Sequence, residues 1–254
     1  MRLVTSSKSW FAAVLMSTAV VLLPSRADAQ LKLYVAQSQG SYTTNGYGGS
    51  QWNTMTTQLN NAFGAGNVSA FANLNNLSTL MTYDRLWVDQ RLGPTLSSTE
   101  LANVSAFLAT GRRAVLIGEN QSWTSWNAQI TSLVGGSTNN QCQWATFATV
   151  YAHQLTAGVN AVTNTCGSTV NGGTALFASN FATLWGSSLS TLTVMDSNLQ
   201  DDTYNGSANN LTFNNNTAQW LASSAVVATP EPASVLLFGS GLAMMGIIAR
   251  RRRA

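Results

Sequence analysis

Charged side chains are scarce in this sequence. Asp, Glu, Lys and Arg together make up 8% of its 254 residues, whereas an average soluble protein contains about 25%. Solubility must therefore come from Asn, Ser, Thr and Gln. Few charges among many small polar residues are typical of extracellular, matrix-facing proteins and argue against a cytosolic enzyme.

The formal net charge of +3 does not describe the folded part of the chain. Seven of the cations lie within residues 1–29 or 230–254, and residues 30–229 carry five cations and seven anions, a net charge of −2. This part is slightly acidic and has no basic patch, so nucleic-acid binding is not expected. Its length of about 200 residues is enough for one domain with a proper core.

Residues 1–29 have the features of a secretory signal peptide. Arg2 and Lys8 form a positive start, and residues 10–23 are a mostly apolar run, too short for a comfortable membrane span. Ala27 and Ala29 are the small residues that a signal peptidase accepts, so we predict cleavage after Ala29. An uncleaved anchor or a buried helix is the alternative.

The sequence from residue 230 onward has three consecutive parts: a Pro-Glu-Pro motif, an apolar segment and an arginine cluster. The uncharged segment 233–249 would measure roughly 25 Å as a helix, just under the thickness of a hydrocarbon core. The positive-inside rule would keep the arginines in the cytoplasm and the domain outside. The motif is Pro230, Glu231 and Pro232, and the cluster is Arg250, Arg251, Arg252 and Arg253.

This order of parts resembles the PEP-CTERM sorting signal over residues 230–254. In that family an exosortase-type membrane protease processes the signal, and its bearers are exported proteins of bacteria that make extracellular polysaccharide. The resemblance implies signal peptidase, exosortase and extracellular polysaccharide as partners. It also implies an inner-membrane intermediate, held by the C-terminal helix, before the protein reaches the cell surface or the extracellular space. An ordinary tail-anchored protein is the alternative.

Strand and helix patterns alternate through residues 30–223, the predicted folded domain, which a linker at 224–229 joins to the sorting signal. Ser97 and Glu100 fit a capping box, and Gly111 fits the end of the helix that follows. Short apolar strands alternating with helices predict an α/β fold with a single open, mostly parallel sheet and helices on both faces. The predicted strands are 31–37, 68–71, 85–89, 114–117 and 192–195, and further helices are predicted at 51–63, 74–80 and 123–133.

Two stretches have weaker patterns. Residues 136–190 predict irregular loops with short strands. Residues 217–222 predict a last short helix, capped by the asparagine run 214–216.

Several of these segments resemble the class I glutamine amidotransferase-like fold. That family places a cysteine nucleophile in the turn after the middle strand, but this chain has Gly118, Glu119 and Asn120 there. The family's activity is therefore not expected, and we predict a non-catalytic protein without a cofactor or metal. The resembling segments are 83–88, 96–97, Glu100, 111–118 and 194–198, followed more loosely by Asn210, Phe213, Asn216 and 220–221.

Polar residues follow the predicted strands, where open parallel sheets bind their ligands. A hydrolase with Glu119, Asp196 and His153 in one pocket is the alternative function, and a Ser122–His153 pair is a second form of it. The candidate pocket residues are Asp89, Glu119, Asn120, His153, Asp196 and Asn198.

Cys142 and Cys166 are the two cysteines of the chain. An even count in an exported protein predicts a disulfide, and a Cys–His pair with His153 is the alternative. Two further ligand types remain open. Trp123, Trp126 and Trp144 could stack on sugars, and the acidic run around 196–202 could bind calcium, although a solvated loop is the simpler interpretation of that run.

Overall fold

The computed structural model describes residues 30–91 and 95–224. Within these ranges the chain forms nine strands and five α-helices. The strands are β1 (Leu33–Ala36), β2 (Val68–Phe71), β3 (Arg85–Val88), β4 (Ala114–Ile117), β5 (Ser137–Ala148), β6 (Ala161–Asn171), β7 (Thr174–Ala175), β8 (Ala182–Trp185) and β9 (Thr191–Val194). The helices are α1 (Asn53–Phe63), α2 (Leu77–Leu80), α3 (Ser98–Ala109), α4 (Thr124–Ser132) and α5 (Asn210–Ala222).

Seven strands form one sheet in the order β2-β1-β3-β4-β9-β8-β7. The first five strands in this order are parallel, and β8 and β7 extend the sheet in antiparallel pairing. The parallel part reproduces the doubly wound order in which ligand sites lie beyond the carboxyl ends of the strands. The prediction of an α/β fold with a mostly parallel sheet is confirmed.

Helices cover both faces of this sheet. Alternate residues of β1, β3, β4 and β9 join α1 and α5 in one buried cluster. The intervening residues of β1, β3 and β4 join α2, α3 and α4 in a second cluster. The central strands are therefore buried on both sides, which explains their continuous apolar sequence.

The capping box predicted at the start of α3 is confirmed. The Ser97 side chain accepts a hydrogen bond from the Glu100 backbone N–H, and the Glu100 carboxylate accepts one from the Ser97 N–H. Two otherwise unpaired backbone donors are satisfied in this way.

The prediction of irregular loops for 136–190 is wrong for much of that stretch. β5 and β6 form a long antiparallel hairpin, separate from the main sheet and irregular in register between Asn139 and Trp144. Most β5 side chains are at least partly exposed, so their polar sequence gives little of the alternation that marks a half-buried strand. The single-sheet prediction is corrected accordingly.

The predicted last helix begins seven residues too late. α5 begins at Asn210, and residues 214–216 lie inside the helix instead of capping it. Asparagine disfavours helix interiors because its side chain competes for backbone hydrogen bonds. Here tertiary contacts use that capacity: Asn210 bonds to the Thr163 N–H and C=O, and Asn214 donates to the Leu199 carbonyl at 2.8 Å.

The predicted signal peptide, with its cleavage at Ala29, and the predicted C-terminal helix lie outside the described residues. Within residues 30–91 and 95–224, no helix is long and apolar enough to cross a membrane.

Candidate functional site at the carboxyl edge of the sheet

Three acidic side chains lie where parallel strands end, at what we call the carboxyl edge. Asp89 follows β3, Glu119 follows β4 and Asp196 follows β9. All three are buried, with Asp89 and Asp196 fully shielded from solvent. The structure therefore brings acidic residues to the predicted edge, but it encloses them.

Asp89 joins the β3 end to the loop that follows β1. One carboxylate oxygen accepts hydrogen bonds from the backbone N–H groups of Tyr47 at 2.9 Å and Ser38 at 3.3 Å. The other accepts one from Trp87 Nε1 at 2.6 Å. Burial raises the pKa of Asp89 to about 7 despite these bonds, because removal from water disfavours the charged form.

Glu119 closes the turn after β4 and connects it to the segment after β9. One of its oxygens accepts from the N–H and side-chain amide of Asn120, both at 2.8 Å. The other accepts from the hydroxyl of Ser197. Burial raises the pKa of Glu119.

Asp196 connects the β9 end to the hairpin. It accepts hydrogen bonds from the Thr165 N–H and hydroxyl, and from the Asn198 N–H at 3.0 Å. Burial, together with the nearby Glu119, raises the pKa of Asp196 to about 7. The Asn198 side chain donates to the Thr165 carbonyl at 3.1 Å, so Asn198 also connects the segment after β9 to the hairpin.

The backbone of β6 lies close to the backbone of the residues that follow β9. The Ser168 N–H donates to the Met195 carbonyl at 2.9 Å. A Cβ atom added at Gly167 would lie 2.5 Å from that same carbonyl oxygen, so only glycine fits there without a shift.

Sequence reasoning missed the residue that orients the turn after β4. Asn127, fully buried on α4, accepts from the Glu119 N–H and donates to the Glu119 carbonyl, both at 2.8 Å. It lies between Trp126 and Ile130 on the apolar face of α4. A polar residue on an apolar helix face could have indicated this role from the sequence, because a buried amide needs hydrogen-bond partners.

A second missed pairing lies beside the β3 end. Arg91 and Glu100, both buried, form an ion pair of 2.8 Å, the one salt bridge within residues 30–91 and 95–224. The capping box drew attention to Glu100, but the sequence did not show that Arg91 would reach it.

A small cavity opens at this edge, with a volume of about 180 Å³. Its lining comes from Arg91, Thr95 and residues 122–126. The six candidate pocket residues are not part of this lining. Its charged group, Arg91, is already paired with Glu100.

His153 is not brought together with the acidic residues. Its ring lies 6.4 Å from that of Trp220 and 6.3 Å from that of Tyr151. Burial, and then the neighbouring Arg113, lower its pKa. Arg113 directly precedes β4 whereas Glu119 follows it, and a four-residue strand separates its ends by roughly 13 Å. Ser122 lies beyond the same end of β4 as Glu119.

The predicted disulfide is confirmed: Cys142 and Cys166 are bonded across β5 and β6. The alternative Cys–His pair with His153 is therefore wrong.

The acidic residues after β9 serve as hydrogen-bond acceptors. Asp202 accepts from the N–H groups of Asn53 and Thr54 at the start of α1, both at 3.1 Å. Asp201 accepts from the Asn45 side chain at 2.8 Å. Within the described ranges, no group of three or more His, Cys, Asp or Glu side chains is placed to hold a metal ion.

The three tryptophans proposed for sugar stacking differ in access. Trp123 and Trp126 are buried, whereas Trp144 on β5 is 63% exposed. The Trp144 ring meets Tyr204 edge-on at 5.9 Å. Trp144 is thus the one of the three that a ligand can reach.

Comparison with known proteins gives one match at the level of sequence families. The pattern of the PEP-CTERM protein-sorting motif matches residues 228–253. The chain carries a PEP-CTERM sorting motif. The motif supports exosortase-type C-terminal sorting of an exported protein, with targeting to the cell surface, and it agrees with the order of parts at 230–254. None of the curated proteins compared matches the chain.

Solved structures resemble the folded domain at low sequence identity. The N-terminal domain of mmIFT52 is 13% identical, with a TM-score of 0.60, and the match covers 76% of this chain and 98% of that domain. A GMP synthase protein from Thermoplasma acidophilum is 12% identical, with a TM-score of 0.47, over 75% of this chain and 94% of that one. A ThuA-like protein from Bacteroides uniformis is 13% identical, with a TM-score of 0.40, over 56% and 60%. The likeness to the mmIFT52 domain concerns the fold alone.

Proposed function

We propose that this chain is an exported surface or matrix protein that acts without catalysis, by binding to extracellular polysaccharide or by structural association with it. The PEP-CTERM motif at residues 228–253 carries the exported part of this proposal. In the proposed route, signal peptidase removes residues 1–29 and an exosortase-type protease processes the C-terminal signal after a membrane-held intermediate.

The state of the carboxyl edge supports a non-catalytic role. Asp89, Glu119 and Asp196 accept hydrogen bonds from neighbouring backbone and side-chain groups and are buried. A general acid or base must be within hydrogen-bond reach of its substrate. These carboxyl groups instead hold loops together, and the turn after β4 carries no cysteine.

Trp144 supports polysaccharide as the ligand. Its ring is the largest exposed apolar group on β5 and β6. Thr146 and Thr163 form the next cross-strand pair on the same side of Trp144, with hydroxyl oxygens 2.9 Å apart. A flat aromatic ring next to neutral hydroxyl groups suits a sugar ring, which presents an apolar face and hydroxyls. The lack of charge on β5 disfavours a charged ligand.

Retention of the mature protein on the producing cell's exopolysaccharide tests this proposal. We expect Trp144→Ala to reduce retention by about three- to tenfold, the loss that one aromatic contact typically causes. Leu211→Ala is the matched control, because Leu211 is also an exposed apolar residue, at 45%, but lies on α5. Equal retention of the wild type, both variants and an unrelated protein would exclude polysaccharide binding.

A further inference from the structure

The few cations of the domain are concentrated at one end. Within residues 30–91 and 95–224, four of the five cations directly precede or begin parallel strands: Lys32 at β1, Arg85 at β3, and Arg112 and Arg113 at β4. We call this end the amino edge. Asp84 is the acidic residue there, whereas the other six described acidic residues lie after strands or in the first turn of α3. The domain is therefore electrically polarised along its strands.

Both ends of the described domain leave from this same edge. Gln30 and Ser224 line one cavity of about 290 Å³. Arg85 and Arg113 each donate a hydrogen bond to the Ser223 carbonyl at 3.0 Å. Two of the four cations thus contact the residue next to the point from which the chain continues toward the sorting motif.

The four cations differ in how far the fold engages them. Arg85 and Arg113 bond to carbonyl groups at the end of α5, where the helix dipole is negative. Lys32 is exposed. Arg112 donates through one terminal nitrogen to the carbonyls of Met81 and Tyr83, and its guanidinium lies over the Phe107 ring at 5.6 Å. It is only half-buried, so part of the side chain faces solvent.

The distance to the proposed membrane segment is short. Eight residues separate Ser224 from the apolar stretch that begins at residue 233. Fully extended, this connection spans at most roughly 30 Å, which is less than the diameter of a domain of this size. While that stretch is in the membrane, the connection holds Ser224, and with it the amino edge, within roughly 30 Å of the lipid surface.

We propose that the amino edge lies against the anionic surface of the bilayer during the membrane-held stage, with Lys32 and Arg112 facing lipid phosphate groups. This rests on the proposed sorting route. Basic groups next to an anionic membrane are attracted within about one Debye length, whereas Arg91, the described cation outside the amino edge, is buried in its pair with Glu100. Trp144 pairs with Thr165, which bonds to Asp196 at the carboxyl edge, so Trp144 then lies on the side away from the membrane, where polysaccharide is accessible.

The chain offers a direct probe, because Lys32 is its single lysine after residue 29. The precursor lacking its signal peptide is reconstituted into vesicles of phosphatidylcholine alone or of equimolar phosphatidylcholine and phosphatidylglycerol. A water-soluble amine reagent is added, and modification of Lys32 is followed by mass spectrometry. We expect modification to be at least about threefold slower in anionic vesicles, and to recover in high salt as screening removes the attraction.

A matched variant separates contact with lipid from general effects of the anionic surface on the reagent. Lys32→Arg combined with Gln121→Lys moves the single lysine to the exposed segment after β4, at the carboxyl edge. Its modification rate is expected to be the same in both vesicles once corrected for the small change that a free lysine peptide shows. Equal slowing of both proteins, or no slowing of Lys32, overturns the inference.

The same vesicles distinguish this inference from the proposed function. If the precursor does not remain with the vesicles after alkaline extraction, the membrane-held route itself is wrong. If it remains but Lys32 reacts equally in both lipids, only the orientation is wrong.

Discussion

Asp89 is a carboxyl group that the fold removes from water and surrounds with three hydrogen-bond donors. Its pKa of about 7 lies well above that of an exposed aspartate, about 3.9. The pKa of Asp196 is also raised to about 7, by burial first and by the nearby Glu119 second. At the residue scale, burial raises the pKa of all three acids of the carboxyl edge, so each is harder to ionise than an exposed acid.

A pH dependence of stability follows from these raised values. The folded state holds protons that the unfolded state has released between about pH 4 and pH 7, so the contribution of Asp89 and Asp196 is complete at low pH and is lost as pH rises through 7. We expect the free energy of unfolding to fall from pH 5 to pH 7, by up to about 1.4 kcal/mol per pH unit for each group.

Urea denaturation at several pH values measures this dependence. Asp89→Asn removes one titrating group and should flatten the profile relative to the wild type. A stability that rises steadily from pH 5 to pH 7 would contradict the prediction.

The buried ion pair of Arg91 and Glu100 gives a second prediction. Burial alone raises the pKa of Glu100, but bonds from Ser97, Arg91 and Leu74 outweigh that effect and lower it. Arg91→Met would leave the Glu100 carboxylate without its cation, at an expected cost of about 3–5 kcal/mol. Thermal or urea unfolding measures this loss.

The double variant Arg91→Met with Glu100→Gln is the control for that experiment. Because it removes both charges, it should be more stable than Arg91→Met alone. If the two variants are equally unstable, the loss comes from packing and not from the uncompensated charge.

At the scale of elements, β5 and β6 form a hairpin that is not part of the main sheet. It meets the sheet where Thr165 bonds to Asp196 and where Ser168 bonds to the Met195 carbonyl. Its other strand is largely exposed and gains few buried apolar contacts. The Cys142–Cys166 bond joins the two strands covalently, so we expect it to hold the exposed strand β5 in place.

Removing that disulfide should destabilise the domain. The two cysteines are 24 residues apart, and closing a loop of this length contributes about 3 kcal/mol in the chain-entropy model. We expect Cys142→Ser with Cys166→Ser to lower the free energy of unfolding by that amount. Hydrogen exchange should rise first in β5, and an unchanged exchange pattern there would show that the hairpin is held by other contacts.

At the scale of the whole molecule, the position of the domain relative to the sorting motif matters. Ser224 lies at the amino edge, and residues 225–229 are the short connection to Pro230. An exosortase-type protease acting near Pro230 must reach this connection beside a folded domain whose end is only a few residues away.

Deleting residues 225–229 should therefore slow C-terminal processing in the producing cell, because the folded domain then obstructs the protease. The expected result is accumulation of the membrane-held precursor, measured by immunoblotting of the membrane and medium fractions. Replacing the same five residues by Gly and Ser is the matched control and should leave processing unchanged. Normal processing of the deletion variant would show that the protease needs no such spacing.

Much of the fold was accessible from the sequence because its strong signals are local. The continuous apolar runs at β3 and β4 and the Ser97–Glu100 capping box specify elements by the chemistry of neighbouring residues. The hairpin and the first two turns of α5 were missed because tertiary bonds stabilise them. Asn210, for example, is held in a helix by Thr163, which lies 47 residues away.

The sequence indicated which residues follow the strands, but not whether their side chains are exposed or buried. Sequence order places Asp89, Glu119 and Asp196 after strands, and parallel pairing then collects them at one edge. Whether such carboxyl groups face a ligand or bond to their own protein depends on loops folding over them. His153 could not be placed from the sequence, because its position depends on how the β5–β6 connection packs on α5.

By itself, the sequence determined where the protein is sent and which local elements it forms, because a sorting motif and a capping box are written in consecutive residues. Only the tertiary structure decided that the acids of the carboxyl edge are enclosed and that Trp144 is exposed. It also decided that the first and last described residues lie together at the amino edge, where four cations lie. These properties arise from contacts between segments distant along the chain, and residue order alone does not specify which groups water can reach.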